Sequence, residues 1–216
     1  LACCTKEARL PGWFPRDSNK GWVHAEYSLL PGSTDSRFRR ERRGAKGRTQ
    51  EIERLVARSL RAAVDLEELG PIALNVDCDI LNADGGTRCA SITAANLALR
   101  LGVRRLIAAG ICLPQNMRPT EEQRRSGWSA PVLSGDEKKA HEMRVMPHDV
   151  AAISVGLIDG KSYLDLDYNL DSNADVDMNV VKVSDGSFVE VQGTGEEATY
   201  QREELDGLLD MAVIGF

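Results

Sequence analysis

"TQEIERLVARSLRAAVDLEELGPIALNVDCDIL", residues 49–81, joins two hydrophobic periods through a Gly-Pro step. In the first part Ile52, Leu55, Val56, Leu60, Ala63 and Leu66 fall on one stripe, so an amphipathic helix is expected from Thr49 to the stop at Gly70-Pro71. In the second, Ile72, Leu74, Val76 and Cys78 alternate with small or polar partners, which is the period of a strand. Upstream, "WVHAEYSLL" (22–30) alternates loosely and carries Trp, Val and Tyr, a strand ended by Pro31-Gly32. Downstream, "NADGG" is a turn, and "TRCASITAANLALRLGVRRLIAAG" reads as a second, more buried helix, small enough in Ala and Ser to lie close against a sheet. Residues 112–148 are Pro-punctuated and polar, an extended loop or insertion with room for a short helix around "DEKKAHEMR". From 149 the pattern turns to strands: "VAAISVGLI" and "SYLDLDYNL" flank Asp159-Gly160, and "VDMNVVKV" and "SFVEVQG" flank Asp185-Gly186, both tight-hairpin signals. "TYQREELDGLLDMAVIGF" closes as a helix with Thr199 as its expected cap. The order is strand, helix, strand, helix, four strands, helix. Its mixture of crossovers and hairpins predicts an α+β fold, with mixed β-sheet layers packed with helices, rather than a doubly wound sheet.

Composition narrows the function classes. The chain has 216 residues, 42% hydrophobic and 28% charged, which fits a globular protein with a real core. Its net charge of -6 disfavours a surface that coats nucleic acid everywhere, while leaving local patches open. Five Cys, with no CxxC pair, argue against a disulfide scaffold or a zinc knuckle. No apolar run approaches the ~18 residues of a membrane span, and no signal peptide is visible, so the cytoplasm is the expected compartment. The chain opens on Leu1, and "LACCT" reads as a strand entered midway.

Three segments carry candidate chemistry. The basic run Arg37, Arg39, Arg40, Arg42, Arg43, Lys46 and Arg48 favours Arg six to one over Lys, and guanidinium forks suit phosphate. It is either a solvated loop or a surface for RNA, a phosphorylated ligand or an acidic subunit face. Arg48 also sits just before the long helix, where backbone N–H groups favour an anion. "ADGGTRCAS" (83–91) lies between a strand and a helix. As more than a turn, its N–H groups around Gly85–Thr87 form an anion nest, with Thr87 and Arg88 as further donors. Finally, "LDLDYNLDSNADVDMNVV" (164–181) gathers five Asp between 165 and 177. On a strand, Asp165 and Asp167 would share a solvated face opposite Leu164, Leu166 and Tyr168. Asp171 and Asp177 flank a chain reversal that can bring them together, and two close carboxylates share a proton or hold a hard cation such as Mg²⁺. Asp175 is a third ligand or simply faces water. Beside an Arg-bound phosphate, such a pair is equipment for phosphoryl transfer. The three His have no ligand spacing, and no convincing Ser or Cys nucleophile is present.

Together "GWVHAEYSLLPGST", "GRTQEIERLVARSLRAAVDL", "VDCDILNADGGTRCASIT", "AAISVGLIDG", "LDLDYNLDSNADVDMNVV" and "VEVQGTGE" resemble the ribonuclease PH family, in its order and over most of the chain. The resemblance implies a ribonuclease PH-like domain over 1–216 that lacks the family's N-terminal strands and final segment. It implies a phosphorolytic 3′→5′ exoribonuclease that trims tRNA precursors and releases nucleoside diphosphates, with inorganic phosphate as co-substrate. Mg²⁺ or Mn²⁺ and a homo-hexamer, a trimer of dimers, come with it. Carried over by position, Arg48, Gly86, Thr87, Arg88 and Ser91 would bind phosphate, and Asp171 and Asp177 would be catalytic and hold the metal. Arg37, Arg39 and Arg40 would face RNA or pack subunits. The loop from Arg40 to Arg48 is shorter than in the family and 112–148 is longer; Trp128 within it would anchor a contact, stack on a base or pack on its own domain. The alternative function is an RNA-binding or ring-forming subunit of an exosome-like complex without turnover.

Overall fold

In the computed structural model, which describes residues 1–15, 18–196 and 198–216, the long helix is α1, Gly47–Ala62. It buries Ile52, Leu55, Val56, Ala57, Ser59 and Leu60. The expected run to Leu69 breaks at Ala63–Asp65, because the Asp65 carboxylate accepts from the backbone N–H groups of Glu67 and Glu68 and caps a separate turn, α2, Leu66–Leu69. Asp competes with the helix ladder in an interior and satisfies it at a cap. The following strand, β3 (Ala73–Ile80), lies between β1 (Ala2–Lys6), antiparallel, and β2 (Trp22–Leu29), parallel. Parallel neighbours need a crossover, and α1 supplies it between β2 and β3.

The second helix, α3, spans Thr87–Ala108. After it come β4 (Val150–Ile158), β5 (Lys161–Leu164), β6 (Val176–Val183) and β7 (Phe188–Gly195). They form an antiparallel sheet in the order β5-β4-β6-β7. Helices α1 and α3 pack against the first sheet and also touch the second, while the closing helix α7 (Arg202–Ile214) covers β4, β5 and β6. Val155, Leu157, Val176, Met178 and Val180 join Leu208 and Ala212 of α7 in the smaller core, whereas Val150 and Val181 belong to the larger one with α1 and α3. Strand alternation therefore sends Asp177 and Asn179 of β6 away from α7, toward α3. The α+β expectation holds. The α7 cap is Gln201, in a reciprocal box with Glu204, rather than Thr199.

The acidic stretch departs from its expected strand. β5 ends at Leu164, Asp165 turns at φ 55°, and a short helix, α6 (Tyr168–Ser172), follows. The turn drops Leu166 into the core, 2% exposed, beside Gly156 of β4, where a Cβ would meet the Leu166 side chain at 2.7 Å. Asp167 caps α6 by accepting from Leu170 N–H at 2.9 Å. Asp175 accepts from Asp159 N–H at 2.8 Å and so braces the β4–β5 hairpin, whose Asp159 and Gly160 both have positive φ. Three of the five Asp thus serve the chain path, and Asp165 and Asp167 do not share a strand face.

Residues 112–148 hold a 3₁₀ turn (Gln115–Met117), α4 (Glu121–Arg125) and α5 (Gly135–Val145), the last over the "DEKKAHEMR" segment. The Glu142 carboxylate of α5 receives Arg100 at 3.2 Å and Arg104 at 2.7 Å, both from α3. Trp128 packs, half-buried, against the larger core. Among the described residues no helix is long and apolar enough to cross a membrane.

Candidate active site

The site begins where α3 begins. Gly85 and Gly86 have φ 66° and 50°, and a Cβ on Gly85 would run into Leu166 O and Asp167, so the turn needs glycine for both conformation and space. Gly86 caps α3 without a side-chain hydrogen bond, and no acidic residue lies in the first helical turn. The free N–H groups of this 22-residue helix leave its positive end open toward an anion. In front of it lies a cavity of about 780 Å³, lined by Arg48, Gly85–Arg88, Asp171, Asp177 and Asn179 and by the loop from Thr34 to Arg39. Tyr27 of β2 reaches in, its hydroxyl 3.0 Å from Thr87 Oγ1. Two hydroxyls sharing one hydrogen bond leave one O–H proton to donate elsewhere.

Arg88 is held by Glu51 of α1, Nη2 to Oε2 at 2.8 Å, and Glu51 Oε1 accepts from Gln192 Nε2 at 3.1 Å. Burial opposes ionisation of Glu51. Hydrogen bonds from Arg88 and Gln192, with the charges of Arg88 and Arg48, outweigh it and hold the carboxyl below its usual value. Arg88 Nε is buried and has no hydrogen-bond partner among the described residues. Ser91 does not join this group: its hydroxyl donates back to Thr87 O at 2.8 Å and it does not line the cavity. Buried in the helix one turn on, it satisfies itself on the backbone. Arg37 and Arg39 line the same cavity, but Arg40 lines a neighbouring groove of about 450 Å³ with Arg42 and Lys46.

Asp171, on α6, and Asp177, on β6, complete the opposite wall. Burial pushes both carboxyls up. Asp171 and Glu196 push Asp177 further, against Arg88, while Arg88 and Arg48 pull Asp171 down against Glu196. No group of three metal-ligating His, Cys, Asp or Glu occurs among the described residues. Mg²⁺, however, commonly takes one or two carboxylates and completes its shell with water and substrate phosphate. Two carboxyls raised by burial, Asp177 further by the charge of Asp171, beside an anion pocket fit that requirement. Asn179 lies next along β6, its Oδ1 accepting from Cys89 Sγ at 3.0 Å. Sequence reasoning missed Tyr27, Glu51, Gln192, Asn179 and Glu196. Each looks like an ordinary strand, helix or hairpin residue, and only the packing of α1, α3 and the second sheet gathers them.

Models of the 3′ exoribonuclease family match the chain in two parts, domain 1 over residues 1–102 and domain 2 over residues 148–215. A ribonuclease PH from Rhodopirellula baltica is 47% identical over the whole chain, which spans 78% of that protein. One from Corynebacterium efficiens is 48% identical over 94% of the chain and 71% of its own length. Among solved structures, an Archaeoglobus fulgidus exosome with RNA bound to its active site superposes with a TM-score of 0.68 at 18% identity, over 99% of this chain and 74% of its own. Rice Rrp46 does so at 0.64 and 12%, over 99% and 75%. An anion pocket facing a carboxylate pair, on this fold and with relatives this near, leads to one conclusion: the chain belongs to the ribonuclease PH family of 3′ exoribonucleases.

Proposed function

We propose that the chain is a phosphate-dependent 3′→5′ exoribonuclease that trims tRNA precursors in the cytoplasm, with residues 1–216 working as one catalytic unit. The observation that carries this is the single cavity in which Arg48, Arg88 and the α3 N-terminus face Asp171 and Asp177. Inorganic phosphate sits on Arg48, the Gly86–Thr87 N–H groups and Arg88. One of its oxygens attacks the 3′-terminal phosphodiester. A new P–O bond forms, the bond from phosphorus to the 3′-oxygen of the preceding nucleotide breaks, and a nucleoside 5′-diphosphate leaves. The departing 3′-oxygen takes a proton, and Asp177, whose carboxyl holds its proton more tightly than an exposed one, is placed to handle it. Mg²⁺ or Mn²⁺, held by Asp171 and Asp177, would supply positive charge against that developing on the transferring phosphoryl group. Arg37 and Arg39 bind the RNA backbone at the mouth, and the whole Arg loop, Arg40 included, supports a homo-hexamer built as a trimer of dimers.

Ser91 has no part in this scheme, since its hydroxyl is already engaged. A ring-forming subunit without turnover would use the Arg loop but leave the carboxylate pair and the open end of α3 without a role. The deciding experiment supplies RNA with a free 3′ end and Mg²⁺, with and without phosphate. Nucleoside diphosphates released only with phosphate, and RNA extension when diphosphates are in excess, are expected. Monophosphates released equally without phosphate would make the protein a hydrolase.

A further inference from the structure

Arg88 is an unusual anion ligand in one respect: it already has a carboxylate partner. Glu51 reaches it from the second turn of α1 and takes Nη2 at 2.8 Å, while Gln192 on β7 holds the other carboxylate oxygen at 3.1 Å. Three elements therefore meet at one carboxylate. A guanidinium has five donors in a fixed plane, so fixing one nitrogen fixes the direction of the rest. Here the other guanidinium nitrogens have no hydrogen-bond partner among the described residues, and the side chain lines the cavity. A long Arg on the first turn of a helix would otherwise sample several rotamers, and ordering it on each anion-binding event would cost affinity. Glu51 is kept ionised by the same cations it serves, so the clamp is present throughout the neutral range.

We infer that Glu51 is a positioning residue for the phosphate site: with Gln192 behind it, it pre-orients Arg88 so that the free guanidinium donors face the incoming anion. This rests on the phosphate reading of Arg88. It has an electrostatic rival, because a carboxylate near an anion site also repels the anion, and the two effects have opposite signs on phosphate affinity.

The test uses the full-length protein with Glu51→Ala, Glu51→Gln, Gln192→Ala and Arg88→Ala. It measures KM for phosphate, KM for RNA, kcat, the binding of inorganic phosphate by calorimetry, and Tm. Positioning predicts that E51A raises KM and Kd for phosphate by about tenfold or more, with kcat at saturating phosphate and KM for RNA changed by no more than about threefold. Glu51→Gln, which keeps an oxygen acceptor for Arg88, should recover most of the loss, and Q192A should fall between. Adding E51A to R88A should cost nothing further in phosphate binding, since a clamp without its Arg has nothing to hold. Unchanged or tighter phosphate binding in both Glu51 variants, with R88A crippled, would overturn the inference and leave the phosphate site standing. A lowered Tm with kcat and both KM values shifting together would assign Glu51 to folding alone. Unaltered phosphate dependence in R88A would remove the phosphate reading itself and the inference with it.

Discussion

Asp177 sits in the cavity wall with a second carboxylate and a third acidic group pressing on its charge, an arrangement that folding alone would not favour. Asp177→Asn keeps the shape and removes both the charge and the transferable proton. Turnover should fall by ~10²-fold or more, while RNA binding measured by gel shift stays close to normal. The same variant should stabilise the metal-free protein at neutral pH. A carboxyl whose folded pKa lies above its unfolded value of 3.8 loses its proton in the unfolded chain first, so stability falls as pH rises through that interval and stays lower above it. D177N should therefore raise Tm at pH 7 without metal and leave it little changed near pH 3, where both forms are neutral. A D177N protein with lower Tm at pH 7 would mean that the carboxylate is satisfied in the folded state.

Secondary-structure elements divide into those legible from the sequence and those that packing decided. Strand β3 and the body of helix α1 follow from period, and the hairpin at Asp159-Gly160 from its turn signal. The acidic stretch did not, because Leu164, Leu166 and Tyr168 alternate correctly for a strand, and nothing local reveals that Gly156, on a neighbouring strand, leaves the space that Leu166 occupies. Of the candidate site residues, Arg48, Gly86, Thr87, Arg88, Asp171 and Asp177 meet in one cavity, whereas Ser91 and Arg40 lie outside it. Their clustering was readable because charge and glycine at a strand–helix junction leave a local trace. Glu51 left none, since a Glu on the polar side of an amphipathic helix looks like any other in the sequence. The cap on α6 can be tested directly: Asp167→Ala should cost about 1 kcal/mol, and more in activity than in global stability, because α6 carries Asp171. Equal kcat for D167A and wild type would show that α6 holds its place without the cap. On α5, His141 is fully buried, and burial and Arg144 keep its pKa below the ordinary 6.5, against Glu68. The unfolded chain then takes up a proton first. The helix's contribution to stability is complete above pH 6.5 and declines as pH falls below it. His141→Gln should flatten Tm against pH between 8 and 5; an unchanged slope would place the titration elsewhere.

At the scale of the whole molecule, the Arg loop is the surface that assembly or substrate would use. Neutralising Arg37, Arg39 and Arg40 together should shrink the particle in sedimentation, weaken RNA binding with a shallower salt dependence, or both. An unchanged particle size with unchanged RNA affinity would leave the loop a solvated face. The cavity itself lies on a seam. Its anion side comes from α1 and α3, its acidic side from α6 and β6, and the two meet where Gly85 leaves no room beneath Leu166 O and where Tyr168 N–H donates to Asp84 at 3.0 Å. The enzyme therefore carries its own strain gauge. Any slight parting of the two halves, in mild urea or a few degrees below melting, should silence turnover while circular dichroism still reports every helix and strand in place. The gap between those two midpoints would measure how firmly the seam is closed.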